Sequence, residues 1–134
     1  TFWAWAMELA GELGGQKAPE SVPEPLPLDV GKAARLAGNT TIGIVATNVR
    51  LTKAQAQRIA IMAQDGIARA VRPVHTPFDG DTIFVVSTGR AELGEPSPLQ
   101  LSRLGTLAAD CVTRAICRGV YEAESLGEIK AYRG

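Results

Sequence analysis

Chemical potential concentrates in two short runs, Gly38-Asn39-Thr40-Thr41 and Asp79-Gly80-Asp81, with the single histidine, His75, just ahead of the second. A threonine that opens a strand directly after an asparagine is a candidate self-processing junction. Thr40 Oγ1 would attack the Asn39 carbonyl and move the acyl group from nitrogen to oxygen. Hydrolysis of that ester frees the Thr40 amine, which can then act as general base for the hydroxyl beside it, so no histidine is required. On residue types alone, the plainer reading of Thr40 is a β-branched residue at the start of a strand. Asp79-Gly80-Asp81 by itself is good turn chemistry and a strand cap. His75, between Pro73 and Pro77, offers a general base but reads more simply as a structural or surface residue. Asn39-Thr40-Thr41 also fits the N-glycosylation sequon; without a secretory signal that match is coincidental.

Other chemistries are excluded. One His and two Cys without tight spacing cannot build a zinc site of the usual kind. There is no phosphate-binding loop, no dinucleotide fingerprint and no G-x-S-x-G elbow, so neither metal nor cofactor is expected. Cys111 and Cys117 fall on one expected helix about 9 Å apart along its axis, too far for a disulfide. They read as buried small apolar residues in a reducing compartment.

The elements that must position these residues follow from periodicity. Residues 1–7 are apolar and aromatic and read as a strand. Residues 16–29 alternate proline with acidic residues and form a linker or long loop. A short helix over 30–37, capped by Asp29 and stopped by Gly38, comes next. Residues 40–48 are a β-branched run, read as a strand buried on both faces. Thr52 caps a helix to about Val71, with Ala56, Ile59, Ala60, Ala63, Ile67 and Ala70 on one stripe. Mid-helix Gly66 is expected to allow close helix approach. Pro73 ends that helix, and residues 73–80 are a loop. Residues 81–88 are a second strand, 89–96 a turn. Ser97 then caps a helix over 98–118 with Pro98 at its first position, its buried stripe being Leu101, Leu104, Ala108, Cys111, Ala115 and Ile116. Both helices are expected to cover the sheet that holds the two strands.

Composition bounds the class. Fourteen Lys+Arg balance fourteen Asp+Glu, which argues against a nucleic-acid binder or a polybasic membrane segment. With 46% hydrophobic and 21% charged residues, the bulk of the chain is not expected to be disordered. A chain of this size buries roughly two-thirds of its unfolded surface, enough for one domain or part of one. No apolar run reaches ~18 residues, and the opening stretch lacks the basic region of a signal peptide. The expectation is a cytoplasmic piece from the middle of a longer protein.

The run Gly38-Asn39-Thr40-Thr41-Ile42-Gly43-Ile44-Val45-Ala46-Thr47-Asn48 resembles the processing junction of the P1 family of N-terminal nucleophile hydrolases (peptidase family S58), the relatives of the D-aminopeptidase and β-peptidyl aminopeptidases. The branch it most resembles is the endo-type 6-aminohexanoate-oligomer, or nylon-oligomer, hydrolases. The likeness continues through Leu51-Thr52-Lys53-Ala54-Gln55-Ala56, Asp65-Gly66-Ile67-Ala68-Arg69-Ala70, Arg72-Pro73-Val74-His75-Thr76 and Asp79-Gly80-Asp81-Thr82. It covers about residues 38–90 with specific motifs.

The resemblance implies an α+β fold, part of a four-layer α-β-β-α sandwich. It implies an α chain ending at Asn39 and a β chain starting at Thr40, with autocleavage between them and oligomers of αβ units. It implies that Asp79 and Asp81 lie beside the nucleophile Thr40, one relaying a proton or holding the ammonium and the other orienting it. Alternate residues of a strand point to opposite faces, so a bend at Gly80 is expected if both are to aim inward. Further site and oxyanion residues belong to an α-chain segment outside this sequence. The implied function is amide hydrolysis of small peptides or linear ω-amino-acid oligoamides. Two alternatives stand beside it: an acyltransferase of the ornithine acetyltransferase type, and a non-catalytic assembly subunit of the same fold.

Overall fold

The computed structural model describes residues 1–21, 40–95 and 97–134. Strand β1, Ile42–Val49, pairs in parallel with β2, Thr82–Ala91, with Ile42 opposite Thr82 and Val45 opposite Val85. Parallel strands cannot be joined by a tight turn and need a crossover. Helix α1, Lys53–Ala70, supplies it. Its length of about 27 Å matches the roughly 26 Å of β1, so the chain is carried back to the end from which β1 started. Thr52 begins α1 with a reciprocal capping box: its hydroxyl accepts from Gln55 N–H, and the Gln55 side chain accepts from Thr52 N–H. Such a cap contributes about 1 kcal/mol.

One face of this two-stranded sheet meets the helices. Ile83 joins Ile59, Ala63, Ile67, Ala108 and Val112 in the main core, with Val45 and Val85 packed against it. The other face is open among the described residues. Ile42, Ile44, Phe84 and Val86 are 72%, 68%, 58% and 43% exposed, so β1 is not buried on both faces as expected. Helices cover one side only, and the β-branched residues on the other side have no layer against them here.

Helix α2, Ser97–Glu122, extends to both sides of the expected 98–118. It rests chiefly on α1, touches β1 lightly, and so forms a helix pair over the sheet. Its buried residues are Gly105, Ala108, Ala109, Val112, Thr113 and Cys117. Only Ala108 of the expected stripe is fully buried, while Cys111 and Ala115 are exposed. The reason is the partner. A helix lying on another helix turns its small residues inward, because they let the backbones approach. Gly66 of α1 is the point of closest approach: a Cβ there would stand 2.3 Å from the Ala109 carbonyl oxygen and 2.8 Å from Val112 Cβ. The Thr113 hydroxyl sits at the same crossing, 3.0 Å from the Gly66 carbonyl and 2.9 Å from that of Ala109. Leu101, Leu104 and Ile116 are half-buried against the main core, and Leu104, Cys111, Ala115 and Ile116 also line an open groove of about 470 Å³ along the edge of β1 that is unpaired among the described residues.

Residues 1–7 do not form a strand. They make a 3₁₀ turn at Trp5–Met7, followed by left-handed backbone at Ala10, Gly11, Gly14 and Gly15. Turn bonds replace the ladder of a strand: Trp5 N–H donates to the Phe2 carbonyl at 3.1 Å, Met7 N–H to that of Ala4 at 2.9 Å, and Phe2 N–H to Gln16 Oε1 at 3.1 Å. The Glu8 carboxylate gathers the amides of Leu13, Gly15 and Gln16 in the turn that follows. Ala4 and Leu13 pack on Cys117, and Glu12 forms a two-pronged ion pair with Arg114, one arm at 2.9 Å. Burial, with the nearby Glu12 carboxylate, pushes the Cys117 thiol up.

Strand β2 also runs past the expected end at Thr88. Gly89, at φ +66°, lets it continue to Ala91 through an irregularity opposite Thr47 and Val49. The Ser87 hydroxyl bridges there, donating to the Val49 carbonyl at 2.6 Å and accepting from Leu51 N–H at 3.2 Å. Residues 16–21 carry neither helix nor strand. The rest of the proline-rich stretch, the expected helix over 30–37, Gly38 and Asn39 lie outside the described residues. Among the described residues no helix is long and apolar enough to cross a membrane.

Two glycine substitutions separate close approach from simple helix propensity. Gly66→Ala meets backbone and should destabilise the fold by about 1–3 kcal/mol. Gly105→Ala meets mainly the flexible thioether end of Met62 and should stay within about 1 kcal/mol of the parent, since Ala is the better helix former. Denaturant midpoints of the two variants check this; equal values would contradict it.

Candidate active site

The register of the parallel pair assembles the site. With Ile42 opposite Thr82, residues 40–41 lie beside residues 80–81. Thr82 N–H donates to the Thr41 carbonyl at 2.9 Å. On its other side, Thr41 N–H donates to Asp81 Oδ1, also at 2.9 Å. The Thr41 backbone is therefore held at both polar groups by two consecutive residues, Asp81 just before β2 and Thr82 at its start. Thr40 stands one residue further out, exposed, with its side chain over Gly80. A Cβ on Gly80 would stand 2.9 Å from Thr40 Oγ1. A side chain at position 80 would thus push directly on the Thr40 hydroxyl.

Asp81 is the buried carboxylate of the site, its side chain only 7% exposed. Burial by itself pushes a carboxyl pKa up. Here the Thr41 donors and His75 outweigh that, so Asp81 is held below the usual aspartate range. Its Oδ2 lies 2.7 Å from His75 Nδ1. Since an ionised carboxylate only accepts, Nδ1 carries the proton in this pair. From α1, Gln64 Nε2 donates to the Asp81 backbone carbonyl at 3.3 Å. Among the described residues Gln64 Oε1 is buried with no donor.

The two aspartates diverge. Asp79 Oδ2 accepts from Thr76 N–H at 2.7 Å, and Asp79 N–H returns a bond to the Thr76 carbonyl at 3.0 Å. Asp79 thus closes its own loop, while Asp81 faces the backbone next to Thr40. Gly80 between them lies against Thr40. Asn39 is outside the described residues.

Sequence reasoning took His75 as an isolated loop residue. The structure pairs it with Asp81 and holds it at φ +55°, a conformation uncommon outside glycine, though histidine takes it more readily than most residues. The available signal was a histidine six residues before an aspartate in a proline-bounded loop. Gln64 carries no motif signal; it faces Asp81 only because α1 crosses the start of β2. Chemically, the site offers a hydroxyl on an exposed strand end, next to a buried, ionised carboxylate whose two oxygens each accept from one donor.

Over residues 5–133 the chain matches the family model described as peptidase family S58. It is 44% identical over 104 residues to an uncharacterized aminopeptidase of Mycobacterium bovis, covering 71% of this chain and 30% of that protein. An uncharacterized aminopeptidase of Mycobacterium leprae is 43% identical over 105 residues, covering 72% of this chain and 29% of that protein. A 6-aminohexanoate-oligomer endohydrolase of Paenarthrobacter ureafaciens is 40% identical over 57 residues, covering 42% of this chain and 16% of that protein. The chain spans less than a third of the length of these curated relatives.

The carboxylate at position 81 should leave a signature in stability. Its folded pKa lies below its unfolded one. The stabilisation is therefore complete above the unfolded value of about 3.9 and is lost as pH falls through the folded value. Urea midpoints of the parent and Asp81→Asn should differ most near neutral pH and converge below about pH 4. A gap that stays constant into acid would contradict the lowered pKa.

Proposed function

The chain belongs to peptidase family S58, and from that premise we propose that the protein is a self-processing amide hydrolase with Thr40 as its nucleophile. The observation that carries the reading is the contact of Thr40 with Gly80, next to a buried carboxylate, Asp81, that grips the Thr41 amide. In processing, Thr40 Oγ1 attacks the Asn39 carbonyl, the peptide nitrogen leaves as the Thr40 amine, and water cleaves the resulting ester. In turnover, the freed amine takes the hydroxyl proton as Oγ1 attacks a substrate amide carbonyl. It gives that proton to the departing amine, and water then releases the acyl product.

Asp81 orients the Thr40 end of β1 and shares in proton movement at the amine. A bare carboxylate beside an amine favours the ammonium and opposes its use as a base. Engagement of Asp81 by Thr41 and His75 tempers that effect. Asp79 acts at one remove, by closing the loop between His75 and Asp81. An α chain ending at Asn39 supplies the oxyanion contacts. A second sheet covers the open face of Ile42, Ile44, Phe84 and Val86, giving the four-layer α-β-β-α sandwich, and αβ units assemble into oligomers. The names of the relatives, aminopeptidase and 6-aminohexanoate-oligomer endohydrolase, support small peptides or linear ω-amino-acid oligoamides as substrates. Among the described residues no feature of the site favours acyl transfer or a non-catalytic assembly role.

Intact-mass measurement of the full-length protein should show a C-terminal piece beginning at Thr40. Thr40→Ala should abolish both that cleavage and hydrolysis of oligoamides or amino-acid p-nitroanilides. Asp81→Asn should slow the chemical step by about 10²–10⁴-fold, and Asp79→Asn by less. Cleavage and turnover that survive Thr40→Ala would overturn the assignment.

A further inference from the structure

His75 stands in a loop whose construction has one evident product: the direction of its imidazole. The reciprocal bonds between Thr76 and Asp79, with Phe78 N–H donating to Thr76 Oγ1 at 3.3 Å, fix the turn immediately after it. His75 itself is held at φ +55°, left-handed backbone that few residues other than glycine occupy and that histidine, asparagine and aspartate take most readily. That backbone aims Nδ1 at Asp81 Oδ2, 2.7 Å away. The other oxygen of the same carboxylate receives Thr41 N–H, and Thr41 is bonded directly to Thr40. The chain of contacts runs from the imidazole through one buried carboxylate to the backbone of the strand end.

We infer that His75 is a positioning residue for the Thr40 nucleophile, acting as the donor that locks Asp81 against the Thr41 amide. The inference rests on the reading of Thr40 as nucleophile. A buried carboxylate deprived of one of two donors either takes a proton or swings toward water. In both cases the Thr41 amide loses its charged acceptor, and the strand end that carries Thr40 is no longer held. Misplacement of a reacting group by about 1 Å costs on the order of 10²-fold in rate. The imidazole is not asked to move a proton, because the Thr40 amine serves as the base. Position 75 has two requirements: an N–H at the place of Nδ1, and tolerance of left-handed backbone. Asparagine meets both. Aspartate shares the backbone tolerance and lacks the donor.

The test uses the full-length protein and three variants, H75N, H75A and H75D, with Thr40→Ala alongside. Rates of Asn39–Thr40 cleavage and steady-state oligoamide hydrolysis are measured, together with thermal unfolding. H75A and H75D should lower both rates by about 10²-fold, the loss lying in kcat with KM little changed. H75N should recover to within about tenfold of the parent. Rates for H75A and H75D close to the parent, or H75N as slow as H75D, would overturn the inference. If H75A fails to fold, the pair H75N and H75D decides the matter alone, since the two side chains are nearly isosteric and aspartate puts a second carboxylate where asparagine offers Asp81 an N–H. Activity that persists in Thr40→Ala would instead remove the nucleophile reading itself. A dead Thr40→Ala beside a normal H75D would remove only the role of His75.

Discussion

Parallel pairing sends both strands into the sheet from the same end, and the register of Ile42 with Thr82 sets residues 40 and 41 beside residues 80 and 81. Antiparallel pairing in the same sheet would have put Thr40 at the far end of β2. The parallel arrangement depends on a crossover of matching length, which α1 supplies, and on a helix pair tight enough to keep α1 on the sheet. Gly66 and Thr113 meet that second demand at the α1–α2 crossing. Interior packing and the site are therefore one problem: the small residues between the helices determine where the strand ends meet.

At those ends a single carboxylate does the joining. Asp81 is buried, which alone would favour its neutral form, yet it remains ionised because donors surround it. Its charge is divided between the Thr41 amide and the His75 imidazole. A group held in this way is fixed in direction, and the backbone it grips is fixed with it. Gly80, between the two aspartates, leaves the space that the Thr40 side chain occupies.

Much of this was legible in the sequence. The β-branched run at 40–48, the Thr52 cap, the stop at Pro73 and the close-approach role of Gly66 follow from local chemistry, and each is seen in the structure. Other features depend on partners that periodicity does not name. A continuous apolar strand reads as buried on both faces, but only one face is covered among the described residues. Of the apolar stripe expected on helix α2, Ala108 lies in the core and Leu101, Leu104 and Ile116 border it, while Cys111 and Ala115 are exposed. Gly105 and Thr113 carry little hydrophobic weight, yet they face α1 because they are small, and Cys117 is covered by Ala4 and Leu13. At the N-terminus, aromatic residues resemble a strand, but the backbone of residues 2–7 closes on itself in turn bonds and finds no neighbouring strand among the described residues. The two aspartates were visible as a motif; their divergence, and the pairing of His75 with only one of them, arise from loop geometry that no spacing rule encodes.

The Thr41 amide reports most directly on whether Asp81 holds the end of the strand beside Thr40. Its proton survives self-cleavage, so it can be followed by heteronuclear NMR in the mature protein. The account predicts that this amide is protected from solvent exchange at neutral pH. Its resonance should shift with the ionisation of Asp81, at an apparent pKa below the ordinary aspartate value of about 3.9. A Thr41 amide that exchanges as freely as an exposed loop residue, or that ignores the ionisation of Asp81, would contradict the account.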